Sequence, residues 1–199
     1  APHLLRSVMR IAVWNTAFLG DSVLTLPLIR VIRAAWPDAE LDFYVRAGLS
    51  SLYEAQPEIT HVYACDKRGR EKGLAAMLRQ GKRIAAAGYD IWVDAHLSLR
   101  ILRVGYTEAA LSRFVFTHRV GRHFRQFQEI ERLLRLAGEL DISRSVLEDE
   151  SLTWPEIVLP TRAVEEAEKL LSVLPEGQTI GLHPGSVWPT KRWTQEGFA

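Results

Sequence analysis

The chain has 199 residues, 47% hydrophobic and 25% charged, with a formal net charge of +1; this excludes disordered and fibrous proteins and gives no general attraction to nucleic acid. Cys65 is the only cysteine, which excludes a disulfide framework and a thiolate metal site and indicates a reducing, cytoplasmic setting. No apolar run approaches the roughly 20 residues of a membrane span and the first residues lack a signal-peptide core, so we expect any role in a membrane pathway at the cytosolic surface.

The first predicted unit is a buried strand, a loop and an amphipathic helix between residues 10 and 35. Residues 11–14 (IAVW) form an apolar run bounded by polar residues, as in a central parallel strand covered on both faces. The helix is indicated by apolar residues at helical spacing, namely Leu24, Leu28, Val31 and Ala35. Because Pro27 removes a backbone donor, we expect either a kink there or a helix that begins near it.

Gly20 and Asp21 lie between this strand and helix, at the carboxyl end of the strand, where open α/β sheets bind their ligands. Asp21 has two interpretations from its position. Its carboxylate either caps the helix start or contributes to a binding site. The loop has one glycine where the dinucleotide motif G-x-G-x-x-G has several, and the Walker lysine motif is absent, so the pattern weighs against dehydrogenases and kinases.

Further strands are predicted over residues 41–45, 61–65 and 91–93, with a short helix near residues 49–53 and a longer one over 73–87. The strand over 91–93 is followed by Asp94 and His96. Side chains two residues apart point the same way, which suits an acceptor-binding edge; a turn acid and a surface histidine are the alternative. A strand over 103–106 follows too closely for a crossover helix, so we expect it to be antiparallel or edge-placed, or residues to be missing near Arg100.

An amphipathic helix is predicted over residues 124–140, followed by an irregular acidic stretch. We place the domain boundary there, giving domains of residues 1–155 and 156–199. The second part shows a helix over 161–174, a buried strand over 179–182 and a helix from about residue 194. Strands that alternate with amphipathic helices predict an α/β fold with a mainly parallel sheet, plus the start of a second Rossmann-like domain.

The segment that follows the predicted strand over 179–182 is rich in hydroxyl and cationic side chains. Lys191 and Arg192, with Ser186 and Thr190, are suited to hold a diphosphate through charge-assisted hydrogen bonds; a plain charged loop is the alternative. Two other basic clusters, at residues 67–72 and 119–125, are either solvated surface or contacts for phosphate or an anionic membrane.

Several segments resemble the ADP-heptose:lipopolysaccharide heptosyltransferases, especially those of the heptosyltransferase II type. The two specific motifs are TAFLGD at residues 16–21, followed by LTLPL at 24–28, and HPGSVWPTKRW at residues 183–193. DAHLSLR at residues 94–100 and THRV at 117–120 are similar to segments of that family's amino-terminal domain. The resemblance covers nearly the whole chain.

The resemblance implies a GT-B fold, with the acceptor mainly on the first Rossmann-like domain and the nucleotide sugar mainly on the second. It implies Asp21 as the general base that takes a proton from an acceptor heptose hydroxyl, and Lys191 as the cation that stabilises charge on the departing ADP. The donor phosphates would be bound by Gly185, Ser186 and Thr190. The acceptor side would include Gly20, Asp94 and His96.

The resemblance implies ADP-heptose and the lipopolysaccharide inner core as partners, at or near the cytosolic face of the inner membrane. It implies no cofactor, and the sequence shows no metal-ligand cluster. The family's later carboxyl-terminal motifs have no counterpart before residue 199, so we expect a fragment or a sequence of ordered residues only. Two other classes stay open: a nucleotide-sugar oxidoreductase or epimerase, and a non-catalytic sugar- or partner-binding module.

Overall fold

The computed structural model describes residues 8–66, 74–95, 102–107, 116–123, 125–175, 177, 180–183, 185–186 and 191–198. The chain divides into two compact units, Ala1–Thr161 and Arg162–Ala199. None of the helices within the described residues has the length and apolar content needed to cross a membrane.

The first unit is built on a six-stranded sheet in which every pair of neighbouring strands is parallel. The strands are β1 Arg10–Asn15, β2 Glu40–Arg46, β3 His61–Cys65, β4 Ile91–Asp94, β5 Leu102–Tyr106 and β6 His118–Val120. Their spatial order is β3-β2-β1-β4-β5-β6, the order of Rossmann-type domains. The predicted α/β fold class is therefore confirmed for this unit.

Helices cover both faces of the sheet. Those of the first unit are α1 Leu19–Val23, α2 Leu26–Ala35, α3 Leu74–Ala87, α4 Glu129–Gly138 and α5 Arg144–Leu147, with a 3₁₀ turn at Ser50–Leu52. On one face, Ile11 and Val13 of β1 share a buried cluster with α2 and α4. On the other face, Ala12 and Trp14 share a cluster with Ile84 of α3. The alternation follows from the two-residue period of a strand, and it buries β1 on both sides.

The predicted helix after the first loop consists of two pieces. The short α1 ends before Leu24, and α2 begins at Leu26 with Pro27 in its first turn. Proline is tolerated there because the first N–H groups of a helix have no intrahelical acceptor. The interpretation that the main helix begins near Pro27 is thus the correct one.

The expectation that the strand over 103–106 is antiparallel or edge-placed is wrong. β5 pairs in parallel with β4 on one side and with β6 on the other. The unpredicted β6 covers the outer edge of β5. β6 was missed because it has only three residues, of which one, Val120, is buried.

One helix boundary also differs from prediction. The helix predicted from residue 124 begins at Glu129, because the Glu131 carboxylate accepts a hydrogen bond from the Gln128 N–H at 2.7 Å and fixes the helix start there.

Among the described residues of the second unit, regular structure is limited to two helices. Helix α6 spans Thr161–Leu171 and α7 spans Gln195–Phe198. The strand expected over 179–182 is not formed at the described residues 180–182, where Ile180 is 82% and Leu182 72% exposed. A strand needs a partner for its backbone groups, and the described residues of this unit contain no strand with which residues 180–182 could pair.

Candidate active site

A cleft of about 540 Å³ lies at the carboxyl ends of the central strands of the first unit. Ala95 lines it just after β4, as does the loop that follows β1. The strand order reverses between β1 and β4, which is where Rossmann-type sheets bind ligands. The polar residues that line the cleft include Asn15, Thr16, Asp21, Arg46, Arg122 and Glu129.

Asp21 is the third residue of α1 and lines this cleft. Its Oδ2 accepts a hydrogen bond from the Phe18 N–H at 3.3 Å, so the carboxylate does cap the helix start, from inside the first turn. Its other oxygen, Oδ1, has no hydrogen-bond partner among the described residues. The capping and binding interpretations of Asp21 are therefore compatible, because one oxygen serves the helix and the other is available.

The backbone of Asp21 is fixed by buried polar side chains. Asn15, 3% exposed, donates from Nδ2 to the Asp21 carbonyl at 3.1 Å and to Thr25 Oγ1 at 2.8 Å. The Thr25 hydroxyl donates to the same Asp21 carbonyl at 2.9 Å. Asn15 Oδ1 accepts from the Ala17 N–H at 3.0 Å. The loop is therefore held in one conformation by bonds that need no ligand.

A second buried pair anchors the other side of α1. The Ser22 hydroxyl lies 2.8 Å from the Leu19 carbonyl, to which it donates, and 2.6 Å from the Tyr53 hydroxyl. Burial raises the pKa of the Tyr53 phenol, so the phenol stays protonated and donates to Ser22. Both residues are fully buried, and the pair ties α1 to the 3₁₀ turn.

Thr16 lines the cleft and is 9% exposed, yet its Oγ1 has no hydrogen-bond partner in the described structure. The polar neighbours Asn15, Ser22 and Thr25 are all bonded. An unpaired buried hydroxyl costs about 1–3 kcal/mol, and such groups call for an explanation such as an absent ligand or water.

Charged side chains of both signs line the cleft. Arg122 Nη2 pairs with Glu129 Oε1 at 3.2 Å, and its guanidinium lies 4.9 Å from the centre of the Tyr106 ring. Arg46 at the end of β2 lies 5.1 Å from the centre of the Phe18 ring and has no ion-pair partner among the described residues. The cleft is thus lined by three acids, Asp21, Asp66 and Glu129, and by two arginines, of which Arg122 is ion-paired within the described structure and Arg46 is not.

The predicted acceptor-side residues fall in different environments. Gly20 is exposed beside Asp21, and a side chain at this position would meet nothing within 4 Å. Asp94 is 1% exposed at the end of β4, on the face that carries Trp92, and does not line the cleft. His96 lies outside the described residues. Gly20 therefore lies beside Asp21 in the chain, but neither Gly20 nor Asp94 lines the cleft.

The predicted donor-side residues belong to the second unit. Gly185 and Lys191 are exposed and Ser186 is half-buried, whereas Thr190 lies outside the described residues. Arg192 Nε donates to the Ser186 carbonyl at 2.6 Å. The Lys191 ammonium has no hydrogen-bond or ion-pair partner among the residues described here. The two described cations of this set, Lys191 and Arg192, are both exposed. The basic cluster at residues 67–72 lies outside the described part of the chain.

Sequence patterns missed most of the residues that build the cleft. Asn15 and Thr25 gave a weak signal, as polar residues at the end of an apolar strand and the start of an apolar helix. Arg46 and Glu129 gave none, because only the fold brings them together. In the described ranges no three histidine, cysteine or acidic side chains converge to hold a metal ion.

Comparison with known proteins gives structural relatives only. No protein-family model and no curated protein sequence matches the chain. A glycosyl transferase family 9 structure from Veillonella parvula superposes with a TM-score of 0.80 at 23% identity, covering 96% of this chain and 58% of that one. For E. coli ADP-heptose lps heptosyltransferase II the TM-score is 0.62 at 21% identity, covering 94% and 58%.

E. coli heptosyltransferase WaaC with ADP-2-deoxy-2-fluoro heptose gives a TM-score of 0.59 at 18% identity, covering 94% of this chain and 62% of that one. At these identities the comparisons show a shared fold. The chain spans about three fifths of the length of these structures.

Proposed function

We propose that this chain acts in the transfer of heptose from ADP-heptose to the inner core of lipopolysaccharide, with Asp21 as the general base. The observation that carries the proposal is the Asp21 carboxylate itself. It lines a cleft at the switch point of the sheet, in a loop fixed by Asn15 and Thr25, with one oxygen unbonded among the described residues. The shared fold with heptosyltransferase structures supports the choice of sugar transfer.

In the proposed reaction an acceptor hydroxyl enters the cleft beside Asp21. The carboxylate takes the hydroxyl proton while the oxygen attacks the anomeric carbon of the heptose. The bond between that carbon and the β-phosphate oxygen breaks, and ADP departs with its electron pair. A fixed loop suits this role, because a base positioned in advance lowers the entropic cost of the step.

On the donor side, we assign Lys191 to the charge that develops on the departing ADP, since fixed cations stabilise such charge well. Ser186 and Thr190 would donate hydrogen bonds to the phosphates. Gly185 would allow backbone approach, and a Cβ there would meet nothing within 4 Å. This assigns nucleotide-sugar binding to residues 156–199 and acceptor binding to residues 1–155.

On the acceptor side, we assign direct contact to Gly20, because it is exposed next to Asp21. Asp94 is buried, and we assign it no contact with the acceptor in this conformation. An acceptor attached to lipid would bring the protein to the cytosolic face of the inner membrane, as a peripheral protein.

The test is to incubate the complete protein with ADP-heptose and delipidated inner-core oligosaccharide, and to record the masses of both. We expect the oligosaccharide to gain one heptose and one ADP to be released for each transfer. An oxidoreductase or epimerase would alter the nucleotide sugar without adding mass to the acceptor. A binding module would leave both masses unchanged. Either result would contradict the proposal. ADP-glucose serves as the donor control.

A further inference from the structure

Several arginines of the first unit are ion-paired within the described residues, whereas Arg46 is not. Arg10 pairs with Glu40, Arg30 with Glu58, and Arg122 with Glu129. The Arg46 guanidinium lines the same cleft as the carboxylates of Asp21, Asp66 and Glu129 but forms no ion pair with these or with any other described carboxylate. An unmatched cation therefore faces the cleft in which the proposed base lies.

Phe18 contacts both this guanidinium and the proposed base. Its ring lies 5.1 Å from the Arg46 guanidinium carbon, and its backbone N–H donates to Asp21 Oδ2 at 3.3 Å. One residue therefore orients both charged groups. Arg46 is also the last residue of β2, where its backbone is fixed by pairing with Cys65 of β3. Stacking and strand pairing reduce the freedom that the side chain would otherwise lose on binding.

We propose that Arg46 binds an anionic substituent, a carboxylate or a phosphate, on the acceptor sugar whose hydroxyl Asp21 deprotonates. The planar guanidinium presents paired N–H donors that match the oxygens of either group. The inference rests on the proposed function, since it names the acceptor as an anionic saccharide. It makes Arg46 a residue that determines acceptor specificity, and it leaves the donor untouched.

Three forms of delipidated inner-core oligosaccharide test the proposal: native, carboxyl-reduced and dephosphorylated. Calorimetry with the complete protein should show that one of the two modified forms binds more weakly than the native form. The group that was altered in that form is the anion that Arg46 binds. Arg46→Gln should weaken binding of the native form by roughly 10- to 100-fold and abolish that preference. Arg46→Lys keeps the charge without the planar fork and should fall between. Arg83→Gln, an exposed arginine outside the cleft, should behave as the parent.

Unchanged native binding in a folded Arg46→Gln variant would overturn the proposal, as would an equal loss for all three forms or no binding of any form by the parent. Thermal unfolding checks the fold, and if the Gln variant does not fold, the Lys variant decides by the same comparison. Because binding is measured without transfer, the two claims separate. Arg46-dependent preference without heptose transfer would reject the proposed function alone, whereas transfer with no such preference would reject only the role of Arg46.

Discussion

The loop after β1 and the loop before α7 follow similar sequence patterns but are organised in different ways. We call residues 15–25, which include the short helix α1, the first loop, and we call residues 183–194 the second loop. The first is held by buried side chains, with Asn15 and Thr25 both bonded to the Asp21 carbonyl. In the described part of the second, a hydrogen bond joins Arg192 to Ser186, and Lys191 and Trp193 are exposed.

The difference shows what each proposed role requires. A general base must be placed within hydrogen-bond reach of one proton, so its loop benefits from a rigid frame. A cation that stabilises phosphate charge acts over a longer distance and tolerates a more open loop. The first loop is thus organised before any ligand binds, whereas the described residues of the second loop present exposed charge.

The largest of the three effects that test this comparison is expected in the second loop. Lys191→Ala should weaken ADP binding by up to about 3 kcal/mol, and more at low salt than at high salt, because an exposed charge is screened. Calorimetry with the complete protein at two salt concentrations measures this, with Lys169→Ala on the exposed α6 as control. Equal ADP affinity in the Lys191→Ala variant and the parent would show that the second loop does not act through this charge.

A smaller effect is expected in the first loop. Thr25→Val keeps the shape of the side chain but removes the hydroxyl that bonds to the Asp21 carbonyl and accepts from Asn15. We expect unfolding to become easier by about 1–3 kcal/mol and transfer to slow, because the buried Asn15 amide loses one of its two acceptors. Thr25→Ser retains the hydroxyl and is the matched control. If urea unfolding gave the same stability for the Val and Ser variants, the first loop would not depend on this network.

The smallest effect is expected outside both loops, in a buried cluster on the other face of the sheet. Tyr89 donates to Asp42 Oδ2 at 2.6 Å and lies 2.9 Å from the Tyr44 hydroxyl. Tyr89→Phe should lower stability by about 1 kcal/mol at neutral pH without changing transfer. A change in transfer larger than the change in stability explains would contradict the separation of this cluster from the cleft.

The same residue gives a pH dependence. Burial, and hydrogen bonds to Asp42 and Tyr44, raise the pKa of the Tyr89 phenol. In the unfolded chain a tyrosine loses its proton near pH 10, while the folded protein keeps it, so stability falls as the pH rises above about 10. The slope approaches about 1.4 kcal/mol per pH unit for each such tyrosine. Urea unfolding at neutral pH and above pH 10 should show a shallower fall for Tyr89→Phe than for the parent.

The sequence predicted the parts of this structure that depend on local patterns. Five of the six strands are apolar runs or lie between turn signals, and their order along the chain indicated a parallel sheet. The position of Asp21 followed from the same pattern, since ligands bind at the carboxyl ends of such strands.

Other features depend on contacts between distant residues. The inner position of β5 in the sheet required knowledge of β6, which is too short to give a pattern of its own. Arg46 and Arg122 reach one cleft from different strands and loops, which no spacing in the sequence indicates. Asp94 is buried because β4 is an inner strand that is covered on both faces, and this position became known only when β4 was placed between β1 and β5.

The most direct test of the account is the rate of heptose transfer by the Asp21→Asn variant of the complete protein. Asparagine keeps an oxygen that can accept the Phe18 N–H, so the helix start is preserved while the proton acceptor is lost. We predict that turnover falls by a factor of roughly 100 to 10,000, with a much smaller change in ADP-heptose affinity. Asp38→Asn, at an exposed aspartate after α2, should match the parent. An Asp21→Asn protein as fast as the parent would contradict the account and reduce Asp21 to a helix cap.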